Sequence, residues 1–275
     1  MDAPVHVAYE RARSREKGLA HALFEGRIAA QAASAAAPPD AEALETLRRA
    51  ALTAGATRAT PIKASGVVVD ERVTMKCHIP PCEVFGRNHL CPPYSPTARE
   101  FAAYLASYEV GMLVQVQDCL PERFKDLVRE TDDEWYCQLF REKEWEEAYE
   151  GTMMPLWHRL HLAVMAIEAA AERLGLSGAV GLAGSDCGLC SIEGYAERRV
   201  LHQVGLGPHT GEEVTFTPCD VTQPCPFPEA ARPAMEAVGI DVVRTLRNAG
   251  WELRFPAASY LDEGVAQWTG LVLLA

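Results

Sequence analysis

The sequence lacks any apolar run long enough to cross a membrane. No stretch of its 275 residues reaches the roughly 18 apolar residues that a transmembrane helix needs. The first residues, MDAPVHVAYERARSREK, also lack the basic-then-apolar order of a secretory leader. We therefore predict a protein that has no membrane span and works in the cytoplasm.

Positive charge is scarce as well. Lys and Arg number 26 against 38 Asp and Glu, which gives a net charge of -12. Because binding to phosphates needs basic stripes, this balance excludes nucleic acid as the main partner. The acidic residues are concentrated at 130–150, where nine carboxylates stand against Arg141 and Lys143. This segment is interpreted either as a solvated helix face or as a docking surface for a basic redox protein.

Cysteine, in contrast, is abundant. The chain has nine cysteines, an odd number, and a reducing cytoplasm disfavours structural disulfides. Cysteine spacing in an intracellular protein indicates metal binding or catalysis instead. Seven of the nine fall into two groups, and Cys119 and Cys137 stand alone.

The first group lies in KCHIPPCEVFGRNHLCPPYSP, residues 76–96. Its members are Cys77, Cys82 and Cys91. Close spacing lets several sulfurs converge at little chain-closure cost, and neighbouring thiolates repel unless a cation neutralises them. A fourth ligand is missing, and the candidates are His78, His89, Cys119 and Cys137. Either one of these closes a structural site, or an open position lets an exposed iron bind substrate as a Lewis acid.

The second group is Cys187-x2-Cys190 followed, after 28 residues, by Cys219-x5-Cys225. Pro226 follows the last cysteine, like the Cys-Pro ending of bacterial ferredoxin motifs. Only the Cys187/Cys190 pair has the spacing of a structural zinc knuckle. All-thiolate ligation with a Cys-Pro ending favours a [4Fe-4S] cluster, and zinc stays the alternative because spacing alone does not identify the metal.

Apolar periodicity and turn residues predict that helices alternate with strands along the chain. The predicted helices are 41–54, 97–107, 153–174 and 229–250, and the predicted strands are 66–75, 110–117, 177–184, 251–255 and 269–274. This order predicts an α/β fold, with a mixed or parallel sheet flanked by helices and cysteine-rich loops at strand ends. Residues 1–40 are predicted to form a helical N-terminal extension, and residues 41–275 a cysteine-rich metal-binding α/β domain.

Several motifs carry a family resemblance. They are the KC-x4-C…CPP run from Lys76 to Pro93, the later cysteines, and the RP…GIDV run from Arg232 to Val242. Residues 41–255 resemble a little-characterised family of predicted metal-binding, cysteine-rich proteins of unknown function, which implies metal or iron–sulfur binding. Members usually keep a third cysteine soon after the C-x2-C, whereas residues 191–218 intervene here. Either Cys219 supplies that ligand across a long loop, or the site has changed.

Two functions of different classes follow from these patterns. In the first, the protein holds one or two [4Fe-4S] clusters on the seven grouped cysteines and acts in redox chemistry or electron transfer. It would be a reductase or a reductase component, served by a partner of the ferredoxin or flavodoxin type. In the alternative, both groups hold zinc, and the protein is a metal-stabilised accessory or binding module without turnover.

Overall fold

The structure is a computed structural model that describes residues 18–33, 38–79, 82, 84–119, 154–187, 189–190, 219–253 and 265–274. The acidic segment 130–150, Cys137 and the insertion 191–218 therefore lie outside the described residues. Within the described ranges, none of the helices has the length and apolar character that a membrane crossing requires.

The described elements are six α-helices, three short 3₁₀ helices and four strands. The α-helices are α1 (Leu19–Ala33), α2 (Ala41–Thr53), α3 (Met75–His78), α4 (Ala98–Leu105), α5 (Met154–Arg173) and α6 (Val242–Asn248). The 3₁₀ helices are Ala64–Gly66, Glu71–Thr74 and Glu236–Val238. The strands are β1 (Arg58–Lys63), β2 (Val110–Cys119), β3 (Val180–Leu182) and β4 (Val265–Leu274).

The four strands form one sheet in the order β1-β2-β4-β3. Every pair of neighbouring strands is antiparallel, and Val272 of β4 lies opposite Met112 on one side and Gly181 on the other. An isolated parallel bridge joins Ala183, just after β3, to Ala234. The predicted α/β class with helices flanking the sheet is confirmed, and parallel geometry is limited to that bridge among the described residues.

Both faces of the sheet are buried. Side chains alternate along a strand, so Met112 and Val114 of β2 pack with Leu47 of α2 and Leu160 of α5. On the opposite face, one cluster contains Leu113 of β2, Phe24 of α1 and Phe101 of α4. The sheet therefore lies between two helical layers, with an apolar cluster on each side.

Most of the predicted elements are confirmed because their signals are local. The helices at 41–54, 97–107 and 153–174 correspond to α2, α4 and α5, and the strands at 110–117, 177–184 and 269–274 correspond to β2, β3 and β4. Side chains fix two of the helix starts. Asp40 accepts a hydrogen bond from the Ala43 N–H, and Thr97 and Glu100 form a capping box at α4.

The strand predicted at 66–75 is wrong. Asp70 accepts hydrogen bonds from the Arg72 backbone N–H at 3.0 Å and from its guanidinium, which folds the chain into the 3₁₀ helix Glu71–Thr74. Only Val69 makes a β-bridge there, to Ile240. The first cysteine group consequently follows a short helix and not a strand, whereas the second does follow β3.

The helix predicted at 229–250 is broken in two. Gly239 has a φ of 85°, a left-handed conformation that ends the 3₁₀ helix Glu236–Val238. Asp241 then caps α6 by accepting from the Arg244 N–H at 2.9 Å. In addition, residues 251–253 lie outside the sheet, although 251–255 was predicted as a strand.

Helix α1 packs on the sheet layer instead of standing apart from it. Phe24 is fully buried, stacks on Tyr104 at 5.4 Å and meets Phe101 edge-on at 5.4 Å. Ala20 of the same helix belongs to the buried cluster against which Cys187 and Cys225 pack. The domain boundary at residue 40 stays a prediction, but α1 contributes to the packing beneath the cysteines.

One buried histidine makes stability depend on pH. His161 of α5 is fully buried, with its ring edge-on to Trp157 at 5.1 Å. Burial, then the charges of Arg232 and His158, lower the pKa of His161 from 6.5 to about 3. In the unfolded chain this histidine regains its ordinary pKa, so between these two values the unfolded state binds more protons. The stability that depends on neutral His161 is thus complete above pH 6.5 and is lost as the pH falls toward 3.

We expect His161→Gln to flatten this acid limb of the stability curve. A difference of one proton corresponds to a slope of about 1.4 kcal/mol per pH unit, and glutamine stays neutral throughout. Urea unfolding between pH 4 and 7 measures the slope. His158→Gln, one turn earlier on α5 and half-buried, is the matched control and should keep most of it. Equal slopes in wild type and His161→Gln would assign the pH dependence to other groups.

Candidate metal centre

Helix α3 and the turns after it position the first two thiols. Cys77 lies on α3, which Lys76 ties to Glu236 by a 3.1 Å ion pair. The Cys82 N–H donates to the Cys77 carbonyl at 3.1 Å, and the Phe85 N–H donates to the Cys82 carbonyl at 3.0 Å. Cys77 is half-buried and Cys82 is exposed, so the first group opens toward solvent on the Cys82 side.

Cys91 is the most enclosed thiol of the first group, with 5% of its surface exposed. Its N–H donates to the Asn88 carbonyl, and its own carbonyl accepts from the Tyr94 and Ser95 N–H groups. Burial raises the pKa of Cys91 well above its usual range, and negative charge raises it further, from Asp186, Cys77, Cys187 and Cys82 in that order. A thiolate at Cys91 therefore requires a neutralising cation.

In the second group, a hydrogen bond connects two of the thiols. The Cys190 thiol donates a hydrogen bond to Cys219, which, together with the His89 backbone N–H, lowers the pKa of Cys219 to about 6. The same hydrogen bond, followed by burial, raises the pKa of Cys190. The hydrogen bond therefore moves the pKa values of the two thiols apart, down at Cys219 and up at Cys190.

Cys225 has a backbone donor of its own. The Phe227 N–H lies 3.4 Å from the Cys225 sulfur and donates to it. Burial, countered in part by this donor, raises the pKa of Cys225. An apolar cluster that includes Leu90, Leu189 and Ala230 packs against Cys187 and Cys225. Backbone N–H donors to sulfur are one means by which proteins tune iron–sulfur centres.

The structure brings the two cysteine groups together. The Asn88 side-chain amide donates to the Cys187 carbonyl at 2.9 Å, and His89 Nε2 lies 3.2 Å from the Asp220 carbonyl. The charge of Cys187 also acts on Cys91. The two groups therefore form one cysteine-rich region, and His89, a candidate for the missing ligand of the first group, contacts the second group instead.

The other candidates for that ligand have different positions. The His78 ring packs edge-on against Phe85, with centroids 4.8 Å apart. Cys119 is the last residue of β2, where its backbone pairs with Val265. Cys137 lies outside the described residues.

Sequence reasoning missed Asp186 and Asn88. Asp186 directly precedes Cys187, and it follows Ser185, whose φ of 67° is uncommon for a residue other than glycine. Ser185 Oγ lies 3.1 Å from Asp186 Oδ1. The motif SDCGLC was the available signal for Asp186, because an aspartate beside a cysteine adds a potential oxygen ligand or a local negative charge.

The donor set fits a thiophilic metal by its chemistry. Thiol sulfurs with backbone N–H donors suit zinc or an iron–sulfur cluster better than a hard cation. Within the described residues, however, no three His, Cys, Asp or Glu side chains are close enough together to hold one ion.

Comparison with known proteins identifies the family. The model of a family described as predicted metal-binding protein (DUF2284) matches residues 60–274, most of the chain and all seven grouped cysteines. The match begins within β1, so α1 and α2 precede it. Searches of curated proteins and of solved structures each found no match. The chain belongs to the DUF2284 family of predicted metal-binding proteins.

Proposed function

We propose that the protein is a cytoplasmic iron–sulfur protein that acts in redox chemistry or electron transfer. In this proposal the second group, Cys187, Cys190, Cys219 and Cys225, holds a [4Fe-4S] cluster. The first group, Cys77, Cys82 and Cys91, holds a second centre with an open position for substrate. The observation that carries the proposal is the second group, where thiols interact with one another and backbone N–H groups donate to two sulfurs.

The charge of the second group favours a multi-iron cluster. Four thiolates in one half-buried region repel, and a [4Fe-4S] core spreads their charge over several metal ions. The donors to Cys219 and Cys225 would stabilise the added electron of the reduced state, since hydrogen bonds to sulfur raise the reduction potential. These features suit a centre that cycles between two charge states.

The contact between the two groups supports a role in reduction. Asn88 and Cys187 are hydrogen-bonded at 2.9 Å, so an electron on the second centre would reach the first across a short path. A small electron donor of the ferredoxin or flavodoxin type would reduce the second centre. Substrate would bind at the first, and the protein would then be a reductase or a component of one.

Zinc in both groups is the second candidate. His89 adjoins Cys219 and Asp220, and mixed cysteine and histidine ligation is typical of structural zinc. Under this alternative the protein is a metal-stapled accessory module, and its function lies in the partners it binds.

Metal and sulfide analysis of protein purified without oxygen distinguishes the iron–sulfur proposal from the zinc alternative. We expect nearly equal iron and acid-labile sulfide, at about four or eight per chain, because one or two cubanes contain equal numbers of each. The visible absorption should be broad and should bleach with dithionite. One or two zinc ions per chain, without sulfide or visible absorption, would refute the redox proposal and support the zinc module.

A further inference from the structure

Asn88 connects the loop of the first cysteine group to the second group. Its side-chain amide donates to the Cys187 carbonyl at 2.9 Å, and its amide oxygen accepts from the Leu90 N–H at 2.9 Å. Because a carbonyl can only accept and an N–H can only donate, these two partners fix the orientation of the amide. The Asn88 backbone carbonyl accepts from the Cys91 N–H at 3.2 Å. One side chain, 3% exposed, thus fixes Cys187 relative to the backbone of Cys91.

The bond from Asn88 acts beyond the point where backbone hydrogen bonds hold the end of β3. Ala183, just after β3, makes backbone hydrogen bonds of 2.9 and 3.0 Å with the segment 233–235. Between described residues, 184–186 add no further backbone–backbone hydrogen bond. Cys187 lies four residues beyond Ala183, so the Asn88 amide holds a part of the chain that the sheet no longer holds.

The Cys225 half of the second group is held in a different way. The Phe227 carbonyl accepts from the Ala230 and Ala231 N–H groups at 3.1 and 2.9 Å, and the Phe227 N–H donates to the Cys225 sulfur at 3.4 Å. These turns lie within the segment that carries Cys225. The Cys187 half, in contrast, is held by a side chain that belongs to the loop of the first group.

The two residues after Asn88 also lie against the second group. The His89 backbone N–H donates to the Cys219 sulfur. Leu90, which is 1% exposed, belongs to the apolar cluster against which two cysteines of that group pack. Residues 88–90 therefore form one wall of the second group, although they lie between Cys82 and Cys91 in the sequence.

We propose that Asn88 is a positioning residue of the second metal centre. Its amide orients the segment of Cys187 for metal binding, and Asn88 does not itself touch the metal. Partners that orient a metal ligand through a hydrogen bond usually contribute about tenfold to hundredfold to metal affinity. This role rests on the proposed function, since the second group must hold a metal, but it is the same whether that metal is iron or zinc.

Asn88→Ser separates this role from support of the loop. A serine hydroxyl can still accept from the N–H two residues later, as the asparagine does, but it is too short to reach the Cys187 carbonyl. We expect the metal of the purified full chain to be lost to EDTA at least about tenfold faster than in the wild type. Cys190→Ser, which lacks a proposed ligand of the second group, identifies the part of the release that belongs to this centre.

Asn248→Ser is the matched control. Asn248 also donates its side-chain amide to a distant backbone carbonyl, that of Gly66, at 2.9 Å, and neither residue belongs to a cysteine loop. This variant should release metal at the wild-type rate. Equal release from Asn88→Ser and Asn248→Ser would overturn the proposal. If Asn88→Ser fails to fold, Asn88→Asp at pH 8 keeps the side-chain length and the acceptor, has no proton to donate, and should release metal equally fast.

The spectrum of the centre gives a readout that a loss of stability alone would not change. In iron-containing protein, the electron paramagnetic resonance spectrum of the reduced second centre should differ between Asn88→Ser and the wild type. In zinc-containing protein, the visible absorption after substitution with cobalt(II) should differ in the same comparison. Unchanged spectra together with a lower urea midpoint would make Asn88 a purely structural residue.

Iron, sulfide and zinc are measured on the same preparations. Zinc without sulfide, released faster from Asn88→Ser, would refute the redox function and leave the role of Asn88 standing. Iron–sulfur protein whose release and spectrum do not change in Asn88→Ser would refute the role of Asn88 and leave the redox function standing. Wild-type protein that holds no metal would refute both.

Discussion

Arg232→Ala is expected to lower the free energy of unfolding by about 3–5 kcal/mol, the range for breaking a buried ion pair on one side. Arg232 and Glu168 have side-chain exposures of 4% and 7%. Arg232 Nε lies 2.9 Å from both Glu168 carboxylate oxygens. Removing the guanidinium leaves the Glu168 charge buried without a counterion, which costs far more than the contact itself contributes.

The position of this ion pair explains why its loss should destabilise the whole fold. Glu168 of α5 also accepts from the Gly181 N–H of β3 at 2.9 Å, and Arg232 Nη1 donates to the Ala231 carbonyl at 2.9 Å. The pair therefore joins α5, β3 and the segment that follows Cys225. Loss of Arg232 should loosen the support of the second cysteine group along with the core.

Urea unfolding at constant metal content measures the change. The double variant Glu168→Gln with Arg232→Met is the control, because glutamine still accepts from Gly181 while no charge remains to be buried. It should recover most of the lost stability. A cost below about 1 kcal/mol for Arg232→Ala would mean that water reaches Glu168 in solution, as at surface ion pairs.

Cys190→Ser is expected to reduce the metal bound at the second group at least about tenfold, whether the metal is iron or zinc, since the proposed ligand set loses a thiolate. The substitution also removes the sulfur that donates to Cys219. Because metal binding free energy adds to folding free energy, the melting temperature should fall with the metal content. Treatment of the wild-type protein with a chelator should reproduce the fall.

Cys119→Ser is the control for the second group, since Cys119 stands outside that group in the sequence. The metal bound at the second group should equal that of the wild type, and a loss of metal or of melting temperature confined to the first group would assign Cys119 as its fourth ligand. Elemental analysis and thermal unfolding on the same samples give both quantities. Full metal content in Cys190→Ser would remove Cys190 from the ligand set and, with it, the four-cysteine centre.

The fold was predictable where local signals decide it. The apolar periodicity of 41–54 and 153–174 identified α2 and α5, because a helix forms from contacts between near neighbours in sequence. The strand predicted from the β-branched run at 66–75 failed, since the Asp70 side chain accepts from the Arg72 backbone N–H and turns the chain there. Strand order was beyond a local reading, because the placement of β4 between β2 and β3 depends on contacts distant in sequence.

The candidate metal centre, like the fold, was predictable only where neighbours in the sequence decide it. Spacing identified the two cysteine groups, but it gave no sign that Asn88 and Cys187, 99 residues apart, are in contact. It also made His89 one of four candidates for the nearer group in sequence, whereas the folded loop turns His89 toward Cys219 and Asp220. Glu168 could not be identified as the partner of Arg232 from the sequence. A glutamate in an amphipathic helix is normally predicted to lie on the exposed face, and a buried one is the exception.

The central position of β4 has a consequence for biosynthesis. During translation the ribosome releases β1, β2, β3 and both cysteine loops before residues 265–274 exist. Until then β2 and β3 have no strand between them, and their apolar faces and the seven thiols are presented on a nascent chain whose sheet is still divided. The sheet therefore closes only when the last described strand is made, after both cysteine loops.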